Sequence, residues 1–298
     1  MSPDPMIDVR FHTPPEDLRC YFTTFYVSRV HLPEGEWIED ALQPEWANLR
    51  FFDGESPVSW FDGQSQLSGT NFTATGPSSK TCHFKLGATR FWGIGLLPLG
   101  WERFVRLPAA AHCNLMADGR THPAFAPFVP LADGLFGTEP DEQAELARIV
   151  AFFRALDNGP QADAARIQTI HAALVDPQID TVAHLVERVG IGQRTIERLC
   201  RRVFGFPPKL LLRRQRFMRS LAQFMLDPSL KWIGAIDSQY HDQAQFVREF
   251  HEFMGMTPGE YAALPHPVLD HFMHERARIH GAPVQTMDSP HGTVIGAD

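Results

Sequence analysis

Arginine is the residue whose density stands out in this chain. Between Arg188 and Arg219 there are ten basic residues and one acid, Glu197. Guanidinium groups suit phosphate oxygens and the O6/N7 edge of guanine, where their fork of donors binds two acceptors at once. A basic run also fits a solvated helix face with no partner, so spacing has to decide. At 100° per residue Arg194, Arg198 and Arg201 share one side of a helix, with Arg202 beside them, while Ile196, Leu199, Cys200 and Val203 take the other. Stacked like charges repel one another in water, a small cost that a polyanion removes. The chemistry implied is anion recognition rather than bond-making.

Nucleophile chemistry is the competing class. Cys82-His83 and His112-Cys113 are adjacent pairs, but neighbours on a strand point to opposite faces and make a poor nucleophile and base. The alternative to a non-enzymatic protein is therefore an enzyme, or a regulator of DNA-alkylation repair, using a reactive cysteine in the N-terminal half. The four cysteines show no C-x-x-C spacing, there is no H-x-H motif, and His271 and His274 share a helix face with no further ligand nearby. No metal and no cofactor is expected, and the chain is read as a non-enzyme.

The elements that must hold these residues fall into two halves, as 298 residues suggest against a soft prior of about 150 per domain. Residues 160–264 hold 13 Lys/Arg against 11 Asp/Glu; the rest of the chain holds 14 against 24. An acidic protein with one basic segment fits polyanion binding through that segment. The longest apolar stretch, 91–99, is far short of the ~20 residues of a bilayer-crossing helix, and no signal-like start opens the chain. The expectation is a cytoplasmic protein with no membrane contact.

Up to about residue 135 the pattern is β-rich. Runs at 20–27, 47–52, 57–61 and 91–97 alternate or are aromatic, with Asp53-Gly54 and Asp62-Gly63 as hairpin-type turn signals. A short helix is expected at 101–106. From Asp141 the period becomes helical, with Leu146, Ile149, Val150, Phe153 and Leu156 on one face and Asn158-Gly159-Pro160 as the stop. This face packs on the N-terminal half or forms a dimer seam, with a slight preference for the seam. Prolines 265, 267, 283 and 290 read as a loosely attached tail.

The helical half repeats at a shift of 50. Ile196, Arg198, Cys200, Gly205 and Pro208 recur as Phe246, Arg248, Phe250, Gly255 and Pro258. In the first copy, a helix at 181–189, Gly190-Ile191-Gly192 and a helix at 193–204 have the form of a helix-turn-helix unit. In the second, a helix at 230–236, a turn and a helix at 242–254 follow, with Asp242 as N-cap and Phe246, Phe250 and Phe253 inward. A helix over 208–226, roughly 28 Å long, joins the copies, close to the ~34 Å between successive major-groove faces. It carries Arg213, Arg214, Arg216 and Arg219, and Arg214 is expected on a phosphate.

On Gly190-Ile191-Gly192, Arg198, Gly205-Phe206-Pro207-Pro208-Lys209, the stretch from Tyr240-His241-Asp242-Gln243 to Phe250, and Gly255-Met256-Thr257-Pro258, residues 160–264 resemble the C-terminal DNA-binding domain of the AraC/XylS family of bacterial transcription regulators. The resemblance implies a double helix-turn-helix, with Arg194, Glu197, Arg198, Gln243, Gln245 and Arg248 at base-facing positions. Arg201, Arg202, Arg214 and His241 complete the expected DNA-binding set. Gly192 stands where the family has a capping serine, and Gln239 where it has glycine; a positive φ at Gln239 would cost roughly 1 kcal/mol. An effector-binding or dimerisation role follows for the β-rich half.

The expected fold class is thus α+β multidomain. It comprises a β-rich sensor or dimerisation domain (1–138), a linker helix (139–159), the double helix-turn-helix domain (160–264) and a tail (265–298). Expected partners are the major groove of double-stranded DNA, a small-molecule effector, RNA polymerase if the protein is an activator, and a second copy in a homodimer.

Overall fold

The computed structural model describes residues 6–156, 159 and 161–291. Asn158 and Pro160 of the expected helix stop, and 292–298 of the expected tail, lie outside the described residues.

Among the described residues, nine antiparallel strands form two sheets: β1 (Met6–His12), β2 (Phe22–His31), β3 (Ile38–Leu42), β4 (Ala47–Gly54), β5 (Val58–Phe61), β6 (Phe72–Thr75), β7 (Cys82–Leu86), β8 (Thr89–Leu96) and β9 (Met116–Asp118). The large sheet runs β1-β2-β8-β4-β6-β9 and the small one β3-β7-β5. Strand β8 is buried at every residue. Such a strand is covered on both faces and reads as a continuous apolar run rather than an alternating one. Its Gly93 lies opposite Tyr26 in register, and a Cβ there would fall 1.9 Å from the Tyr26 ring. The glycine lets that ring lie flat across the sheet, where its hydroxyl accepts from Arg50 Nε at 3.2 Å. Asp62-Gly63 is a turn, with Gly63 at φ +74°. Asp53-Gly54 is not a hairpin turn. It stays paired with Arg90 and Thr89 of β8, because β4 and β5 belong to different sheets.

One face of the large sheet is covered by helical turns at Trp101–Val105, Pro123–Phe128 and Val129–Gly134 and by helix α1 (Glu142–Ala155), capped by Asp141. Ile149 and Phe153 are buried in this core, and Leu146, Val150 and Leu156 pack against it. Glu145, fully buried, accepts from both ends of the Arg90 guanidinium and from Trp92 Nε1 at 2.7 Å. The apolar face expected as a dimer seam is therefore spent on its own sheet.

The helical half comprises α2 (Ala164–Val175), α3 (Val182–Val189), α4 (Gln193–Leu199, continued by a wider turn Cys200–Phe204), α5 (Pro208–Leu226), α6 (Lys231–Ala235), α7 (Gln243–Met254) and α8 (Pro258–Ala263). The next segment corrects the expected loose tail. Helix α9 (Leu269–His280) buries Leu269, Met273, Arg276 and His280, and the following Thr286 and Asp288 are buried too. Val268 and Leu269 donate their backbone N–H groups to Asp40 of β3 at 2.9 and 2.8 Å. Gln215 of α5 donates to the Thr286 carbonyl at 2.6 Å. The segment is a strap packed on both halves. No described helix is long and apolar enough to cross a membrane.

Candidate nucleic-acid interface

The first unit follows from local signals. Thr181 caps α3 by accepting the His184 N–H at 3.1 Å, and Gly190 ends it at φ +70°. Gly192 precedes α4 without a side-chain cap. Ile196, Leu199, Cys200 and Val203 are fully buried, so the opposite side of the helix faces out. Arg194, Arg198 and Arg201 are exposed there, with no hydrogen bond or ion pair among the described residues. Glu197 is half-buried and accepts from Gln193 at 2.9 Å. Arg202 is not on this outward face. It bridges Glu102, in the turn below the large sheet, and Asp163, at 3.0 and 2.9 Å.

The second unit keeps its register through Asp242, whose carboxylate accepts the Gln245 N–H at 2.6 Å. Phe246, Phe250 and Phe253 of α7 are buried against the fully buried Tyr261. His241, Gln243 and Arg248 are exposed. Gln245 is turned back, its Oε1 accepting the His241 N–H at 3.2 Å. The turn is not strained at Gln239, which has no positive φ. Its backbone N–H donates to Asp237 and its side chain accepts from Arg219 and donates to the Pro177 carbonyl, so the turn is tied down rather than loose.

All four arginines of α5 are taken. Arg213 and Arg216 reach Glu249 of α7 at 2.9 and 2.7 Å, and Tyr240 Oη donates to the same carboxylate at 2.8 Å. Arg219 pairs with Asp237 at 2.5 Å. Arg214, expected on a phosphate, is fully buried. It lies 4.1 Å from the Trp46 ring centre and donates to the Ser78 carbonyl at 2.8 Å. Burial pulls its pKa down to about 9. It fastens α5 to the β-rich half and cannot reach DNA. Sequence reasoning missed Lys209, an exposed cation in the first turn of α5 that lines a cleft of about 520 Å³ with Thr181 and Gln245. Its place directly after Pro207-Pro208, at an exposed helix start, was the available signal.

The cysteine chemistry lacks its thiolates. Burial pushes the Cys82 and Cys113 thiols up to about 12, so both stay protonated at neutral pH. His83 leans the other way, onto Asp62 at 3.1 Å and the Trp60 ring. Among the described residues there is no cluster of three metal-ligating side chains.

Two units with buried inner faces and one outward row of unpaired arginines define a double helix-turn-helix DNA-binding domain. Residues 185–263 match the family model described as a helix-turn-helix domain, and this segment is of the AraC type. Among solved structures, ToxT from Vibrio cholerae is 10% identical, over 87% of this chain and 98% of that one, with a TM-score of 0.43. ToxT bound to (E)-4-(8-methylnaphthalen-1-yl)but-3-enoic acid has the same identity and coverage, with a TM-score of 0.41. The AraC-like transcriptional activator CuxR is 14% identical over 73% of this chain and 87% of its own, with a TM-score of 0.25. No curated protein sequence matches the chain.

Proposed function

We propose that the chain is a sequence-specific transcription regulator whose α4 and α7 enter successive major-groove segments and whose β-rich half, residues 6–156, senses a small molecule. The observation that carries the DNA part is the outward row Arg194, Arg198 and Arg201. Nearly every other arginine of the domain is paired within the chain, and these three are exposed and unpaired. Arg194 and Arg198 read base edges, where a bidentate arginine on guanine is the commonest specific contact. Arg201 and Lys209 take phosphates. In the second unit Gln243 and Arg248 read bases and His241 flanks them, while Glu197 and Gln245 are held on their own helices and act less directly.

The test is selection of duplexes from a random pool by the purified chain, followed by binding of Arg198→Ala to the selected and to scrambled DNA across a salt series. A loss of ~1–3 kcal/mol confined to the selected duplex is expected, with relaxed selectivity at one position. Equal losses on both duplexes would remove the base-reading role, and failure to enrich any sequence would remove the function.

A further inference from the structure

Beneath α9, where the strap covers the large sheet beside β3, two adjoining chambers of about 100 and 70 Å³ share Tyr26, Leu42, Arg50, Leu269 and Phe272 as walls. Gln43, Asn48 and Arg50 line the first chamber, each more than nine-tenths buried. Each holds one polar atom with no partner among the described residues: Gln43 Oε1, Asn48 Oδ1 and Arg50 Nη1. Two are acceptors in want of a proton and one is a donor in want of a lone pair. Buried polar atoms left this way are costly. A hydroxyl, with one O–H and two lone pairs, answers both kinds.

Charge narrows the class further. Arg50 Nη2 already donates to both Glu45 oxygens at 3.0 and 2.9 Å. Thr75, Asn48 and Gln285 also donate to that carboxylate, at 3.0, 3.0 and 2.7 Å. The guanidinium therefore has its counter-ion, and an entering carboxylate would lose its hydration and meet Glu45 without gaining a free cation. The second chamber is apolar, walled by Phe84, Leu86 and Phe91. Together the two exceed the roughly 150 Å³ known to admit benzene.

We propose that these chambers bind a small uncharged molecule carrying one hydroxyl on a ring-sized apolar body, of the phenol or aryl-alcohol class. The proposal rests on the reading of the β-rich half as a sensor and names what it senses. The roof of the site is α9, and the strap that continues from it is bonded through Thr286 to Gln215 on the helix joining the two DNA-reading units. An occupant therefore bears on the part of the chain that spaces those units.

The experiment is calorimetric titration of the full-length chain at pH 7 with phenol, benzoate and benzene. Phenol is expected to bind at least tenfold more tightly than either of the others. Gln43→Met, which keeps the volume and removes the acceptor, is expected to weaken phenol severalfold and leave benzene unchanged. Leu42→Trp, placed from a half-buried edge position, is expected to fill the chambers and abolish both; if that variant does not fold, Gln43→Met decides alone. Benzoate binding as tightly as phenol overturns the proposal, as does phenol binding that neither variant alters. No binding of any of the three means water only and overturns it too. Phenol that binds as expected without changing affinity for the selected duplex leaves the site standing and removes the sensor reading.

Discussion

Arg214 offers the sharpest separation of structural from DNA-contacting arginine, because its burial makes an arithmetic possible. A pKa drawn from 12.5 to about 9 corresponds to roughly 5 kcal/mol against the charged form at 1.36 kcal/mol per unit. Against this stand a charge-assisted hydrogen bond to the Ser78 carbonyl, worth about 1.5–3 kcal/mol, and a desolvated cation–π contact with Trp46, worth about 2 kcal/mol. These contacts offset only part of that cost, and Nε and Nη2 are buried without a partner among the described residues. What the side chain then contributes is chiefly its volume between Trp46, Phe206 and α5. Arg214→Met, which keeps most of that volume, is expected to change stability by no more than about 1 kcal/mol. Arg214→Ala leaves a cavity and is expected to cost about 2–4 kcal/mol. Urea unfolding of both variants measures this, and a salt series on the selected duplex supplies the second reading. The slope of log affinity against log salt is expected to be unchanged in the methionine variant. A slope reduced by about one, with stability intact, would mean that the guanidinium meets a phosphate and would refute the burial argument.

Three further outcomes are expected. Burial between Trp46 and Phe204 draws the His171 pKa down to about 3, so below pH 6.5 the unfolded chain binds a proton that the native state refuses. The stability this neutral histidine allows is full above pH 6.5 and falls as pH drops toward 3, and His171→Leu is expected to shrink the loss between pH 7 and pH 5 by about 2 kcal/mol in urea titrations. Glu145→Gln leaves the Arg90 cation buried without its carboxylate; a destabilisation of about 3–5 kcal/mol is expected, and a change below 1 kcal/mol would contradict the pairing. Iodoacetamide at neutral pH is expected to find no fast-reacting thiol, since burial pushes Cys82, Cys113 and Cys200 up to about 12 and raises Cys20 as well; one rapid site by mass spectrometry would restore the nucleophile alternative.

The helix-turn-helix units are legible in the sequence because their signals are local. Gly190, Gly205 and Gly255 all take the left-handed φ that stops a helix, and the joining helix spans Pro208–Leu226 as its punctuation demands. The fate of each arginine is not legible. Arg198 and Arg202 look alike on a helical wheel, yet Arg202 is claimed by Glu102, and only the packing of the two halves brings that acid near. The same holds for Arg214, whose partners Trp46 and Ser78 come from the β-rich half. Strain at Gln239, inferred from a glycine at that place in related domains, is absent because Asp237 and Arg219 stabilise the turn in another conformation. The strap was readable in part. Leu269, Phe272, Met273 and Arg276 carry a helical period that the surrounding prolines obscure.

The strap also governs when the molecule becomes competent. Its bonds join Val268 to Asp40 and Gln285 to Glu45, across separations of 228 and 240 residues. Closing so long a loop adds little entropy cost beyond that of a shorter one, but contacts this distant form late. During synthesis the β-sheets and both helix-turn-helix units emerge before the piece that packs against them. Until residues 268–288 follow, the apolar chamber lies open, and the two halves are joined only by contacts such as those of Arg202 and Arg214. A chain terminated before residue 268 is thus left with exposed apolar surface and is a substrate for chaperones and proteases.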